Sequence, residues 1–324
     1  MKTRARGSAA AIAAALITVV AGISSAQAAD FSDTFIGFRY GDNYKEPEPG
    51  RGAGGSFVQP AQGKIAKEII QLQHVSGYAY GTNFFNVDML RSNSHDSATN
   101  AAGTAGVPGT GGCTNGNCGS GGANEVYVVY RHTLSASKIF KLKLDMPVIS
   151  DFGLTGGFDF NAKSGGIDAT VQKWLLGPAV NFKVPMGFWS AAVMWYHEYN
   201  HNQFGAFGPA PSGQGCCGAT NYTFDNTWQV STAWLIPIPS IGAKFQGFSN
   251  WTASKGKDYN GTPTRPEWLN ELALMFDVGR YLGKKDTFYG GVGYQYWLNK
   301  FGTDHTQFSG SNANVWQLEL EAHF

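Results

Sequence analysis

The chain has 324 residues, of which 15% are charged and 14% aromatic, with 43 glycines and a formal net charge of +1. Lys2, Arg4 and Arg6 open the chain, and the rest carries 21 basic against 23 acidic side chains, which excludes the basic footprint of a nucleic-acid binder. Beyond the first residues no run of about 18 apolar residues occurs, so no helix is expected to span a bilayer.

The N-terminus reads as an export signal. Its basic start is followed by an apolar run from Ala9 to Ile23, then by the small-residue site Ala26-Gln27-Ala28. We expect residues 1–28 to be removed and residues 29–324 to form one domain. An exported chain meets an oxidising compartment, where disulfides persist.

From there, apolar and polar residues alternate in twelve runs, the period of a half-buried strand. The first, 31–40, sets Ile36, Phe38 and Tyr40 against Asp33, Phe35 and Arg39; a Gly/Pro-rich segment, 41–63, follows. Residues 64–76 form the second run, and Gly77 to Gly81 connects it tightly to the third, about 80–91. There Phe85, Val87 and Met89 oppose Phe84, Asn86 and Asp88. Residues 92–123 are loop by composition. The fourth run, about 124–134, sets Val126, Val128 and Tyr130 against Glu125, Tyr127 and Arg131. The fifth is roughly 146–161, with Ile139 to Leu144 ahead of it as either a short helix or more strand. The sixth (about 170–184) and seventh (about 188–203) meet at Pro185-Met186-Gly187, and the eighth, 222–236, follows a Gly/Pro-rich segment. Pro237 to Ser240 turns into the ninth, about 241–253. After a loop come the tenth, 267–281, and the eleventh, 287–299. The twelfth, 313–324, alternates Trp316, Leu318, Leu320, Ala322 and Phe324 with Gln317, Glu319, Glu321 and His323.

Long and short connections themselves alternate, six long at one end and five short at the other. An even number of long strands joined this way predicts a closed, all-β antiparallel transmembrane barrel of about twelve strands. Soluble sandwiches usually use strands of about 5–6 residues. Trp189, Trp195, Trp251, Trp268, Trp297 and Trp316 are expected to form interfacial girdles. In lipid no strand can leave its N–H and C=O groups unpaired, which is the reason to close the sheet.

Residues 31–41 (FSDTFIGFRYG), His74 to Tyr78, Tyr80 to Asp88 (YGTNFFNVD) and Glu125 to Arg131 (EVYVVYR) resemble the outer-envelope branch of the Tsx-like nucleoside-channel superfamily. The resemblance runs over residues 29–324 and includes the terminal Phe324. It implies a monomeric twelve-stranded barrel in the bacterial outer membrane whose narrow lumen passes nucleosides.

The polar strand faces carry the candidate pathway: Phe35, Arg39, Phe84, Asn86, Asp88, Tyr127, Arg131, Tyr196, Glu198, Glu271 and Glu319. In a barrel this side is the lumen. Its charges of both signs read either as ion-pair plugs or as a polar constriction passing neutral polar solutes, with aromatics able to stack on a flat solute. His197-Glu198-Tyr199-Asn200-His201 matches H-E-x-x-H, but that pattern binds zinc on a helix. On a strand its two histidines lie about 13 Å apart, too far to share a metal. We therefore expect no metal site and no cofactor. His74, His132, His197 and His201 could serve as bases, yet no nucleophile or carboxylate arrangement accompanies them, so an enzyme is not expected. Cys113 and Cys118, five apart in a Gly-rich loop, are placed to form a disulfide. Cys216 and Cys217 either stay reduced or bridge to that pair. The expected partners are outer-membrane lipid and a small polar solute such as a nucleoside, with no nucleic acid. The alternatives are a plugged recognition barrel with binding loops and a rim-site enzyme.

Overall fold

The structure is a computed structural model and describes residues 29–47, 50–51, 57–58, 64–96, 98, 122–164, 169–201, 221–259 and 261–324. The expected export signal and the four cysteines, Cys113, Cys118, Cys216 and Cys217, lie outside the described residues.

Twelve long strands follow one another: β1 Phe31–Tyr44, β2 Ile65–Tyr78, β3 Gly81–Ser92, β4 Asn124–Ser135, β5 Ile149–Lys163 and β6 Ala169–Phe182, then β7 Phe188–His201, β8 Thr227–Ile238, β9 Ala243–Thr252, β10 Glu267–Asp277, β11 Phe288–Leu298 and β12 Asn312–His323. Each pairs antiparallel with its neighbours in sequence. β12 returns to β1, with Phe35 opposite His323 and Tyr40 opposite Leu318, so the sheet closes on itself. Closure pairs the edges that an open sheet would leave bare. A short strand, Asn221–Thr223, pairs antiparallel with the last residues of β7, and Gly50–Arg51 pairs with Phe57–Val58 in a separate two-stranded sheet. Among the described residues no helix is long and apolar enough to cross a membrane.

The alternation sorts the two faces. On β12, Trp316, Leu318 and Leu320 are 69%, 64% and 57% exposed, whereas Gln317, Glu319 and Glu321 are 1%, 6% and 5% exposed. The same split runs along β1, β7 and β10: Ile36, Phe38, Val193, Trp195, Leu274 and Phe276 lie outside, and Arg39, Glu198 and Asp277 are buried. An apolar outside around a polar inside inverts a soluble protein and suits a wall facing lipid. One glycine helps the sheet curl. The β6–β7 ladder skips Gly177 and Pro178, and a side chain on Gly177 would come within 2.0 Å of the Val193 carbonyl oxygen.

Several boundaries move. Ala136–Phe140 is a short helix, capped by Ser135 accepting from the Lys138 amide and ended by Lys141 at φ 53, so β5 begins at Ile149. The eighth run divides: Phe224 donates its amide to Glu198 O (3.0 Å), and β8 starts only at Thr227. β9 begins at Ala243, and residues 202–203 of the expected seventh run lie outside the described residues. β10 stops at Asp277, where its carboxylate accepts from the Arg280 and Asp286 amides and caps a 3-10 turn, Gly279–Leu282. Trp297 is not part of an outer girdle. It shares its parity with Gln295 and points inward, donating to Glu267 (2.7 Å) beneath Lys300, 4.4 Å from the ring centroid.

Candidate functional site

Residues of one parity on all twelve strands face the lumen, and their charges meet there in five groups. The middle group centres on Arg39 of β1. Its guanidinium pairs with Asp88 of β3 at 2.5 Å and with Glu271 of β10. One strand, β2, lies between Arg39 and Asp88 in one direction and two, β12 and β11, lie between it and Glu271 in the other, so this side chain bridges nearly half of the wall. Asn86 donates to Asp88 (3.0 Å), Gln71 to Asn86 (2.7 Å) and Gln295 to Glu271 (3.1 Å). A guanidinium, always charged and able to serve two carboxylates in fixed geometry, suits this crossing.

On the next strands round the wall, Arg131 of β4 holds Asp159 of β5 at 2.6 Å and also donates to the carbonyls of Tyr130 and Phe158. Tyr127 donates to Asp159 (3.1 Å), and Lys173 donates to the Tyr127 hydroxyl (3.2 Å). Nearer the long connections, Glu198 of β7 takes Lys255 at 2.5 Å, the Tyr196 hydroxyl and the Asn200 amide (2.8 Å). At the short-turn end, Lys244 pairs with Glu321 (2.6 Å), and His323 sits between Asp33 (2.9 Å) and Glu321 (3.1 Å) with the Phe35 ring beside it.

A different kind of cluster stands at the end of the long connections, the mouth. Glu46, just past β1, meets Lys67 of β2 at 2.8 Å, Lys163 of β5 at 3.5 Å and Lys300, between β11 and β12, at 3.0 Å. Lys163 also holds Asp96 at 2.8 Å, and Glu125 lies 3.6 Å from Lys67. Burial would raise the Glu46 carboxyl, but Lys163, Lys300 and Lys67 hold it well below the ordinary carboxylate range. Asp96 is lowered for the same reason, by Lys163 and Lys67 against burial. Lys300 is lowered, because burial and its two lysine neighbours outweigh Glu46.

All eleven residues expected to line the pathway face inward, but they do not form one site. Arg39, Asn86, Asp88 and Glu271 come together; Tyr127 joins Arg131 through Asp159; Tyr196 joins Glu198. Phe35 lies at the short-turn end. Phe84 shares the luminal parity and pairs in register with Arg131. Glu319 is the register partner of Arg39. Sequence reasoning passed over Asp159, Lys173, Lys67, Lys163 and Lys244, each legible from its position two residues from, or paired with, another luminal residue. Glu46, Lys255 and Lys300 sit outside the strands, where no period marks a direction.

His197 and His201 lie on β7, bonded to Asn226 and Asn221 at 2.8 Å each. Among the described residues no group of His, Cys, Asp or Glu side chains could hold a metal ion.

No protein family and no curated protein matches the chain in sequence. Solved structures similar to it include the translocator domain of the autotransporter NalP from Neisseria meningitidis, at 14% identity and TM-score 0.42, covering 98% of this chain and 96% of that one. OpdK, an outer-membrane protein of Pseudomonas aeruginosa, is similar at 10% identity and TM-score 0.33, covering 92% of this chain and 100% of that one. A FadL homologue from the same organism is similar at 8% and 0.32, covering 91% and 90%.

Proposed function

We propose that the protein is a monomeric bacterial outer-membrane channel, not an enzyme, through which small neutral polar solutes diffuse. The observation that carries this reading is the state of the luminal charges. Asp88, Glu271, Arg131 and Glu125 retain side-chain exposures of 16%, 17%, 19% and 17% inside a closed wall, so water reaches them, yet each lies within ion-pair distance of an opposite charge. A wet lumen with compensated charge offers hydrogen bonds to a passing solute while giving neither anions nor cations a strong preference. The apolar outside supports a place in lipid, with the short turns facing the periplasm and the long connections facing out.

Nucleosides are the proposed substrates. The resemblance of the first four strands favours them, and inward Phe84, Tyr127 and Tyr196 supply flat surfaces for a base or sugar. The test is swelling of liposomes containing the refolded protein, comparing nucleosides with sugars and amino acids of similar size. Faster influx of nucleosides is expected; equal influx of all three would remove the nucleoside assignment, and no influx would remove the channel. The buried Glu46 cluster favours a second reading, a barrel plugged at its mouth that serves recognition, and absent influx would support it.

A further inference from the structure

One patch of the luminal wall has polar groups that the ion pairs leave unserved. Gln317 of β12 is 1% exposed, and neither atom of its amide has a hydrogen-bond partner among the described residues. The Tyr44 hydroxyl and one oxygen of Glu319 are likewise buried and unpartnered. Buried polar atoms are nearly always satisfied, so so many orphans in one region call for an occupant.

The geometry gathers them. Gln317 is flanked by glycines on both neighbouring strands, Gly293 of β11 in register and Gly41 of β1 one step beyond the Tyr40–Leu318 pair. The space that the two glycines leave is taken up by neighbouring side chains. A Cβ on Gly293 would lie 1.8 Å from Glu319 Oε1, and one on Gly41 would lie 3.0 Å from the Tyr44 ring and 2.8 Å from Val315 Cγ1. The Gln317 amide, a donor beside an acceptor, thus lies between a carboxylate oxygen and a phenol.

We propose that Gln317, Tyr44 and Glu319 form a binding subsite for a neutral planar solute carrying a hydrogen-bond donor next to an acceptor on one edge, such as a cyclic amide or imide. The Gln317 amide pairs with that edge, donating to its carbonyl and accepting from its N–H. Glu319 Oε1 accepts a further N–H, and Tyr44 closes the opposite side. The subsite is shut to solvent, so occupancy requires neighbouring side chains to move. The inference rests on the channel reading for the route by which solute arrives.

The test is calorimetric titration of the refolded full-length barrel with uracil and with 1,3-dimethyluracil, which has the same ring but no N–H. Wild type is expected to bind uracil at least about tenfold more tightly, the worth of one to two buried hydrogen bonds. Gln317→Leu should abolish the preference and leave dimethyluracil unchanged; Gly293→Ala, which pushes the Glu319 carboxylate aside, should reduce it, with circular dichroism confirming that both variants fold. Equal binding of the two compounds, no binding of either because water alone fills the patch, or an undiminished preference in Gln317→Leu would each overturn the proposal. Swelling separates the two readings: solute influx without uracil preference removes the subsite alone, and uracil binding without influx removes the channel alone.

Discussion

The middle of the lumen and its mouth use the same chemistry with different anchoring. Arg39, Asp88 and Glu271 all stand on barrel strands, so the ladder fixes where each charge can be. Glu46 and Lys300 stand on connections, as does Asp96, and meet strand-borne Lys67 and Lys163. The two acidic partners of the middle group are 16–17% exposed, whereas Glu46 and its three lysines are 4–11% exposed. A wet constriction held by strands can select among solutes without moving. A drier cluster held by connections can part and re-form, so the mouth is where opening should occur.

The largest expected effect comes from breaking the middle. Arg39→Ala strands two carboxylates and should cost about 3–5 kcal/mol in urea unfolding, the usual penalty for removing one partner of a buried pair. It should also make residual conductance cation-selective. Unchanged stability would mean that Asp88 and Glu271 find other partners and that the bridge is dispensable. Next in size is a control outside both regions. Leu318→Arg, one residue from Gln317 but facing lipid, should cost about 2–4 kcal/mol if the site lies near mid-membrane, while Gln317→Leu should cost nothing. Equal costs for the two would contradict the assignment of faces.

The smallest change in stability, with the clearest change in function, belongs to the mouth. Glu46→Gln should raise solute influx several-fold with about 1–3 kcal/mol lost, the cost of leaving a buried charge unsatisfied. The same carboxylate sets a pH dependence. Its folded pKa is depressed, so the stabilisation it gives is present above the ordinary carboxylate value and is lost only as pH falls through the lowered one. Asp96 is depressed too and acts in the same direction. Influx should therefore stay flat from pH 8 to about 5 and rise only below about pH 4. A rise near pH 6 would point to a histidine instead.

The barrel was legible because lipid and lumen impose opposite demands on adjacent residues, which writes a period of two into every strand. Breaks came where another demand won: the Glu198 carbonyl takes the Phe224 amide and splits the eighth run, and Asp277 caps a turn where apolar alternation continued to Val278. Parity also placed the luminal residues, and a stricter use of it would have turned Trp297 inward. What parity cannot give is reach. Nothing in the residues around Arg39 says that it extends to β10, and Lys255 enters the lumen from a connection with no periodic signal. The Gln317 patch was invisible for a related reason: it is defined by the glycines of two other strands.

Single-channel recording across a KCl gradient tests the compensated lumen most directly. The account predicts small, resolvable steps that reverse near zero potential. Large unselective steps would mean an open aqueous pore, strongly charge-selective ones an uncompensated lumen, and no steps at all a plugged barrel; each would contradict it.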